Sequence, residues 1–113
     1  MTLSKKEKFS KDDIRLAAVA KAFSHPARIA IIRHLASTRT SCFNDISKQL
    51  PLADSTVSQH LTELKSAGLI EYVFEPPRMI YSIDFDGWKQ AKKFLKDFTK
   101  IKPAKATNES PVR

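Results

Sequence analysis

Apolar residues recur at helical spacing through four stretches of this chain, alternate in two more, and return to helical spacing near its end. Ser10 is placed to cap a first helix, with Asp12 and Asp13 in the opening turn, where negative charge suits the helix dipole. Ile14, Leu16, Ala17, Ala20 and Phe23 make its predicted buried face. Ser24-His25-Pro26 ends that helix and opens a second over about 26–36, because Pro is tolerated in a first turn. Ile29, Ile31, Ile32 and Leu35 leave the second helix apolar on most sides, so it is expected to be central. A polar turn, Ser37 to Ser41, precedes a third helix over about 43–50, with Phe43, Ile46 and Leu50 inward and Pro51 as the stop.

The fourth stretch, DSTVSQHLTELKSAGLI at 54–70, is the most informative. Val57, Leu61 and Leu64 recur at i, i+4 and i+7 and share one side, and Gly68 stops the helix. Ser55, Thr56, Ser58 and Gln59 point elsewhere. Hydroxyls and carboxamides both donate and accept hydrogen bonds, and a helix fits the major groove of duplex DNA, so this face suits base-pair edges. Taken alone, the segment fits an ordinary amphipathic surface helix equally well. The preceding short helix and tight turn tip the balance toward a helix-turn-helix, although Pro51 does the breaking where a Gly is usual.

After Gly68 the period changes to two. Ile70, Tyr72 and Phe74 alternate, then Met79, Tyr81 and Ile83, with Glu75-Pro76-Pro77-Arg78 between. This predicts a β-hairpin with a stiff tip. Asp84 or Asp86 caps a last helix whose stripe is Trp88, Ala91, Leu95 and Phe98, widened by Phe94, with lysines on the other faces. The predicted fold is mainly α with a small β-hairpin: a winged helix-turn-helix in the order α-α-α-α-β-β-α. The domain should span 10–101, between a loose basic arm at 1–9 and a disordered tail at 102–113.

Charge changes the picture by its position. The 113 residues carry 20 Lys and Arg against 12 acids, a net +8, which points to a polyanionic partner, nucleic acid first. Residues 1–23 hold six bases and three acids, 24–83 six and five, and 84–113 eight and four. The flanks would attract phosphate while the nearly neutral middle reads sequence. A single cysteine, Cys42, allows no internal disulfide and fits a reducing compartment. No stretch approaches the roughly 20 apolar residues of a membrane span, and MTLSKKEKF lacks the apolar middle of a signal peptide. A cytoplasmic protein without membrane contact is expected.

Three features resemble the ArsR family of bacterial transcriptional repressors: LAAVAKAFSHPARIAIIRHL at 16–35, DSTVSQHLTELKSAGLIEY at 54–72, and the α-hairpin-α order with a helix at each end. The resemblance spans about 12–98. It implies a homodimer that pairs the first helix, around Ile14 and Ala17, with the last, around Trp88, Ala91, Leu95 and Phe98. It implies double-stranded DNA as partner, through an inverted-repeat operator and repression released by a signal. By position, Asp54, Ser55, Ser58 and Gln59 match the family's base-contacting face, beside Thr56, and Arg78 matches the wing. Asp54 departs from the pattern, since an acid near phosphate is unfavourable, and a capping role is the competing reading.

Many proteins of this family sense metals. One such site is a Cys-x-Cys pair followed by Asp; here Ser41-Cys42-Phe43-Asn44-Asp45 keeps one thiol and puts Asn44 at the second. One thiol and an amide hold a soft ion poorly, so Cys42 reads as a small apolar filler. The other site uses His and carboxylate pairs on the last helix, which here offers Asp86 and Asp97 and no His. His25 is expected to make a local hydrogen bond, His34 to face the surface, and His60 to pack at the inner edge of the fourth helix. Neither metal nor cofactor is expected, and no residue names an inducer. The Trp88-Leu95-Phe98 stripe could line a ligand groove, though dimer packing suits its spacing better. No nucleophile–base pair or phosphate loop argues for an enzyme. The alternatives to a sequence-specific regulator are an architectural, sequence-indifferent nucleic-acid binder and a winged-helix protein-interaction module.

Overall fold

Ser10 does cap the first helix: its Oγ accepts the Asp13 N–H at 3.0 Å, and α1 runs Lys11–Ala22. The structure, a computed structural model, describes residues 8–105. The chain continues through α2 (Pro26–Thr38), β1 (Thr40–Cys42), α3 (Phe43–Lys48), α4 (Asp54–Ser66), β2 (Ile70–Glu75), β3 (Arg78–Ile83) and α5 (Phe85–Thr99). The basic arm and the tail expected at the ends lie largely outside the described residues; 102–105 form neither helix nor strand. Among the described residues, no helix is long and apolar enough to cross a membrane.

The winged helix-turn-helix is present, with one addition. Thr40–Cys42, of which Thr40 and Ser41 are expected in a polar turn, pair antiparallel with Ile80–Ser82, so the hairpin is two strands of a three-stranded sheet ordered β1-β3-β2. Three residues are too few to display a period, and the pairing partner lies some forty positions away. Both ends of the turn-adjacent helices also shift: α2 extends past Ala36 to Thr38, and α3 stops at Lys48 before the expected Leu50.

In the hairpin, Ile70 pairs with Ile83, Tyr72 with Tyr81 and Phe74 with Met79, which puts both alternating apolar sets on one face. At its base Ile70 and Ile83 enter the core; toward its tip Tyr72 and Phe74 stand in solvent.

The core gathers Ile31 and Leu35 of α2, Ile46 of α3, Val57, Leu61 and Leu64 of α4, and Leu69 and Ile70 beyond it. α2 is central, as its composition demands. Burying an aliphatic side chain of this size is worth roughly 1.5–3 kcal/mol. The face expected to be buried on α1 is displaced. Val19 and Ala22 are buried, whereas Ala17 and Ala20 are exposed and Ile14, Leu16 and Phe23 half-buried. Helical spacing located an apolar stripe, but the single chain covers only one edge of it.

Candidate nucleic-acid interface

α4 begins at Ala53, whose backbone is extended (φ −66°, ψ 151°) and whose side chain offers no cap. Asp54 therefore does not cap the helix. It sits in the first turn, where its carboxylate accepts the Ser47 hydroxyl and ties the end of α3 to the start of α4. The chain turns between these helices through Pro51 and Leu52.

From that start the side chains divide sharply. Val57, Leu61 and Leu64 are at most 2 % exposed, and His60 is buried with them. Asp54, Ser55, Ser58 and Gln59 are exposed, and Thr56 is half-buried. Thr62 extends the outer face, but its hydroxyl is spent on the Ser58 carbonyl at 3.0 Å. The sequence-predicted polar edge is thus one continuous strip at the N-terminal half of α4, held by an apolar seam on the opposite side.

The helix ends in a Schellman motif. Gly68 takes a left-handed φ of 76°, its N–H bonds to the Lys65 carbonyl, and the Leu69 N–H bonds to the Leu64 carbonyl. The chain then runs directly into β2, which sets the wing beside α4. Lys65 reaches across that junction, with its ammonium 5.7 Å from the Tyr72 ring, and the Tyr72 and Tyr81 rings lie 5.8 Å apart. Arg78 is exposed at the wing tip opposite Glu75.

The charge of this head was not anticipated. Across residues 43–80 three bases, Lys48, Lys65 and Arg78, face five acids, Asp45, Asp54, Glu63, Glu71 and Glu75. The positive charge lies on α1, α2 and above all α5, where Lys89, Lys92, Lys93, Lys96 and Lys100 are exposed.

The histidines fall into two settings. His25 is the N-cap of α2, its Nδ1 accepting the Ala27 N–H at 3.0 Å, the local bond expected of it. His60 lies against it, ring centroids 4.3 Å apart. Burial first, then His25 and Arg28, pushes the His60 pKa below the ordinary imidazole value. His34, expected at the surface, is half-buried, its Nε2 2.9 Å from the Ser41 hydroxyl. Cys42 is buried where β1 meets α3. Among the described residues, no three His, Cys, Asp or Glu side chains converge as a metal site would require.

The residues expected at a dimer contact are distributed unevenly. Phe98 is 56 % exposed and Ala17 exposed, while Ile14, Trp88 and Leu95 are half-buried. Ala91 is 3 % exposed, already enclosed by its own chain. Trp88 meets Phe23 edge-on at 6.0 Å. Arg15 of α1 donates to Gln90 of α5 at 2.6 Å and lies 5.6 Å over Phe94, so the first and last helices are joined within one chain.

Comparison with known proteins matches this arrangement. The model of the family described as "Bacterial regulatory protein, arsR family" matches residues 25–72, from the cap of α2 through α4 into β2. The HTH-type transcriptional regulator YgaV of Escherichia coli is 34% identical over 59% of this chain and 68% of its own length. The chain belongs to the ArsR family. A second ArsR-like relative, the cadmium resistance transcriptional regulatory protein CadC homolog of Staphylococcus aureus, is 30% identical over 77% of this chain and 72% of its own. Among solved structures, the transcriptional repressor PagR of Bacillus anthracis is 28% identical, with a TM-score of 0.58 over 75% of this chain and 93% of that one. ArsR-family proteins are transcription regulators that bind DNA through a helix-turn-helix, and the relatives matched here are regulators rather than enzymes.

Proposed function

We propose that this ArsR-family chain is a cytoplasmic, sequence-specific repressor that binds double-stranded DNA as a homodimer on an inverted-repeat operator. The observation that carries this reading is the exposed Ser55-Ser58-Gln59 strip on α4, backed by a fully buried seam and flanked by the wing. A carboxamide such as Gln59 pairs bidentately with adenine in the major groove, and hydroxyls such as Ser55, Thr56 and Ser58 bond to base edges or phosphates. Arg78 would touch the flanking backbone or minor groove. Asp54, held by Ser47, orients α4 and discourages misplaced phosphate.

The exposed residues Ala17 and Phe98, with half-buried Ile14, Trp88 and Leu95, suit pairing of α1 and α5 across a two-fold axis. Ala91, enclosed within its chain, supports that face from behind. Two reading helices so related would meet half-sites spaced by about 10 bp or a multiple. The resemblance to PagR supports repression.

Metal sensing does not suit this chain, despite the resemblance to a cadmium resistance regulator. Cys42 is buried, Asn44 stands where a second thiol is needed, and α5 carries carboxylates without a histidine. Soft ions need several thiolates.

A specific observation favours a second reading. The excess of acids on α3, α4 and the wing would suit a protein-interaction module better than a phosphate grip. Recovery of duplexes from random DNA by the purified chain separates the two. An inverted repeat enriched over background, bound by a dimer in sedimentation, is expected. Binding that ignores sequence would point to an architectural role, and absence of any salt-dependent binding would point to the interaction module.

A further inference from the structure

Three helices meet at Arg28. From the first turn of α2 its Nε donates to His60 Nδ1 on α4 at 3.0 Å, and a terminal guanidinium nitrogen donates to the Lys21 carbonyl near the end of α1 at 3.1 Å. His60 is 8 % exposed and lies against His25 with ring centroids 4.3 Å apart and the rings tilted at 43°, and His25 Nδ1 is itself engaged by the Ala27 N–H. His60 uses Nδ1 as the acceptor of the Arg28 Nε–H, so that bond requires its Nε2–H tautomer. His60 follows Gln59 directly in the sequence. With Val57, Leu61 and Leu64, its ring is one of the buried contacts that hold α4 in its rotation, opposite the Ser55-Ser58-Gln59 strip.

We propose that Arg28 and His60 are positioning residues for the reading helix, and that a proton on His60 releases it, weakening sequence-specific DNA binding in mild acid. The inference rests on α4 being the DNA-reading element. A proton on His60 Nδ1 would confront the Arg28 Nε–H, donor against donor. The bond is lost, and an imidazolium is left beside a guanidinium. From α2, His25 and Arg28 both oppose that charge; from α4 itself, Glu63 favours it; from α1, Lys21 presents its carbonyl to Arg28. The opposing groups and burial together outweigh Glu63. On protonation the seat thus passes from a satisfied guanidinium–imidazole bond to two cations that repel. The rest of the chain gains positive charge over the same interval, which strengthens attraction to any duplex. Loss of specific binding would therefore run against the bulk electrostatics.

The test uses the full chain, a duplex it selects from random DNA, and a scrambled duplex of equal length, at fixed salt. Affinities are compared from neutral pH downward through the whole interval over which the His60 imidazole titrates by NMR, which lies below the ordinary imidazole range. The expected result is a loss of the selected-to-scrambled preference that follows the His60 titration, while the scrambled duplex is bound no more weakly. His60→Gln keeps an acceptor for Arg28 and cannot titrate, so whatever ratio it shows at neutrality should stay constant across pH. His25→Asn retains a capping side chain and removes the neighbouring ring, so it should move the fall to higher pH. Proton NMR of the imidazoles should show His60 titrating together with the loss of specificity. A ratio that stays constant with pH in the native chain, while the selected duplex still binds tightly, overturns this inference and leaves the DNA-binding function standing. Failure to bind any duplex at every pH overturns both.

Discussion

The carbonyl oxygen of Gly68 lies 1.7 Å from where a Cβ on residue 87 would stand, so the chain's two glycines form a contact that no other residue at 87 permits. Gly68 closes the reading helix in a left-handed conformation, and Gly87 lies in the first turn of α5, donating its N–H to Asp84 Oδ1 at 3.0 Å. The exit of α4 is thereby set directly on the start of α5, the helix read as a dimer surface. Gly87→Ala should destabilise the fold by at least about 1–3 kcal/mol, the usual cost of overpacking, since the obstacle is backbone. Gly68→Ala, which meets open space and only a strained φ, should cost about 1–2 kcal/mol. Urea unfolding of both variants checks the ranking; a smaller loss at 87 would contradict so close an approach.

Gln59→Ala should relax preference at one base position of each half-site, at a cost of about 1–3 kcal/mol if the carboxamide bonds an adenine. Gln59 is exposed and free of the core, so the fold should be untouched. Selection from random DNA reads the result, and an unaltered recovered motif would remove Gln59 from the reading face.

Asp54→Asn should tighten binding to all duplexes alike, because it deletes an acid at the edge of the face while keeping an acceptor for the Ser47 hydroxyl. A modest loss of stability, about 0.3–1 kcal/mol, should accompany it as the first turn loses its negative charge. A gain confined to the selected sequence would contradict the purely electrostatic role.

Phe98→Glu is the direct probe of the dimer surface. Leu95 is half-buried in its own chain, so a charge there would disturb the protomer as well; Phe98 is mostly exposed. Sedimentation should find a folded monomer with weakened operator binding. A dimer that persists would take Phe98 out of the contact and shift it toward the α1 side, where Ile14 and Ala17 line an apolar cleft of about 810 Å³ against the end of α4.

Stability should fall on acidification through the His60 linkage. Its folded pKa lies below the ordinary 6.5, so the unfolded chain binds the proton first. The contribution is fully present above about pH 6.5 and is lost as pH drops from there through the folded value. Urea midpoints of the native chain should decline over that interval more than those of His60→Gln. Equal declines would assign the effect to other groups.

Much of this protein could be read before any contact was known. Apolar spacing located all five helices and both hairpin strands, and the Ser55-to-Gln59 strip emerged as an exposed edge because its neighbours Val57, Leu61 and Leu64 had to be buried. Such patterns are local, since helix and strand periods are properties of consecutive residues. Tertiary structure alone decided what depends on distant partners. Thr40–Cys42 became a strand because Ile80–Ser82 lay beside it; Asp54 fell inside the first turn, after the Ala53 cap, and met Ser47 from α3; Ala17 and Ala20 stayed exposed because the core of one chain reaches only Val19 and Ala22. Nor could spacing have joined Arg28 to His60, thirty-two positions apart, or Gly68 to Gly87. The chain dictates which faces are apolar through its own short-range geometry, while which of them meet is settled only when the helices pack.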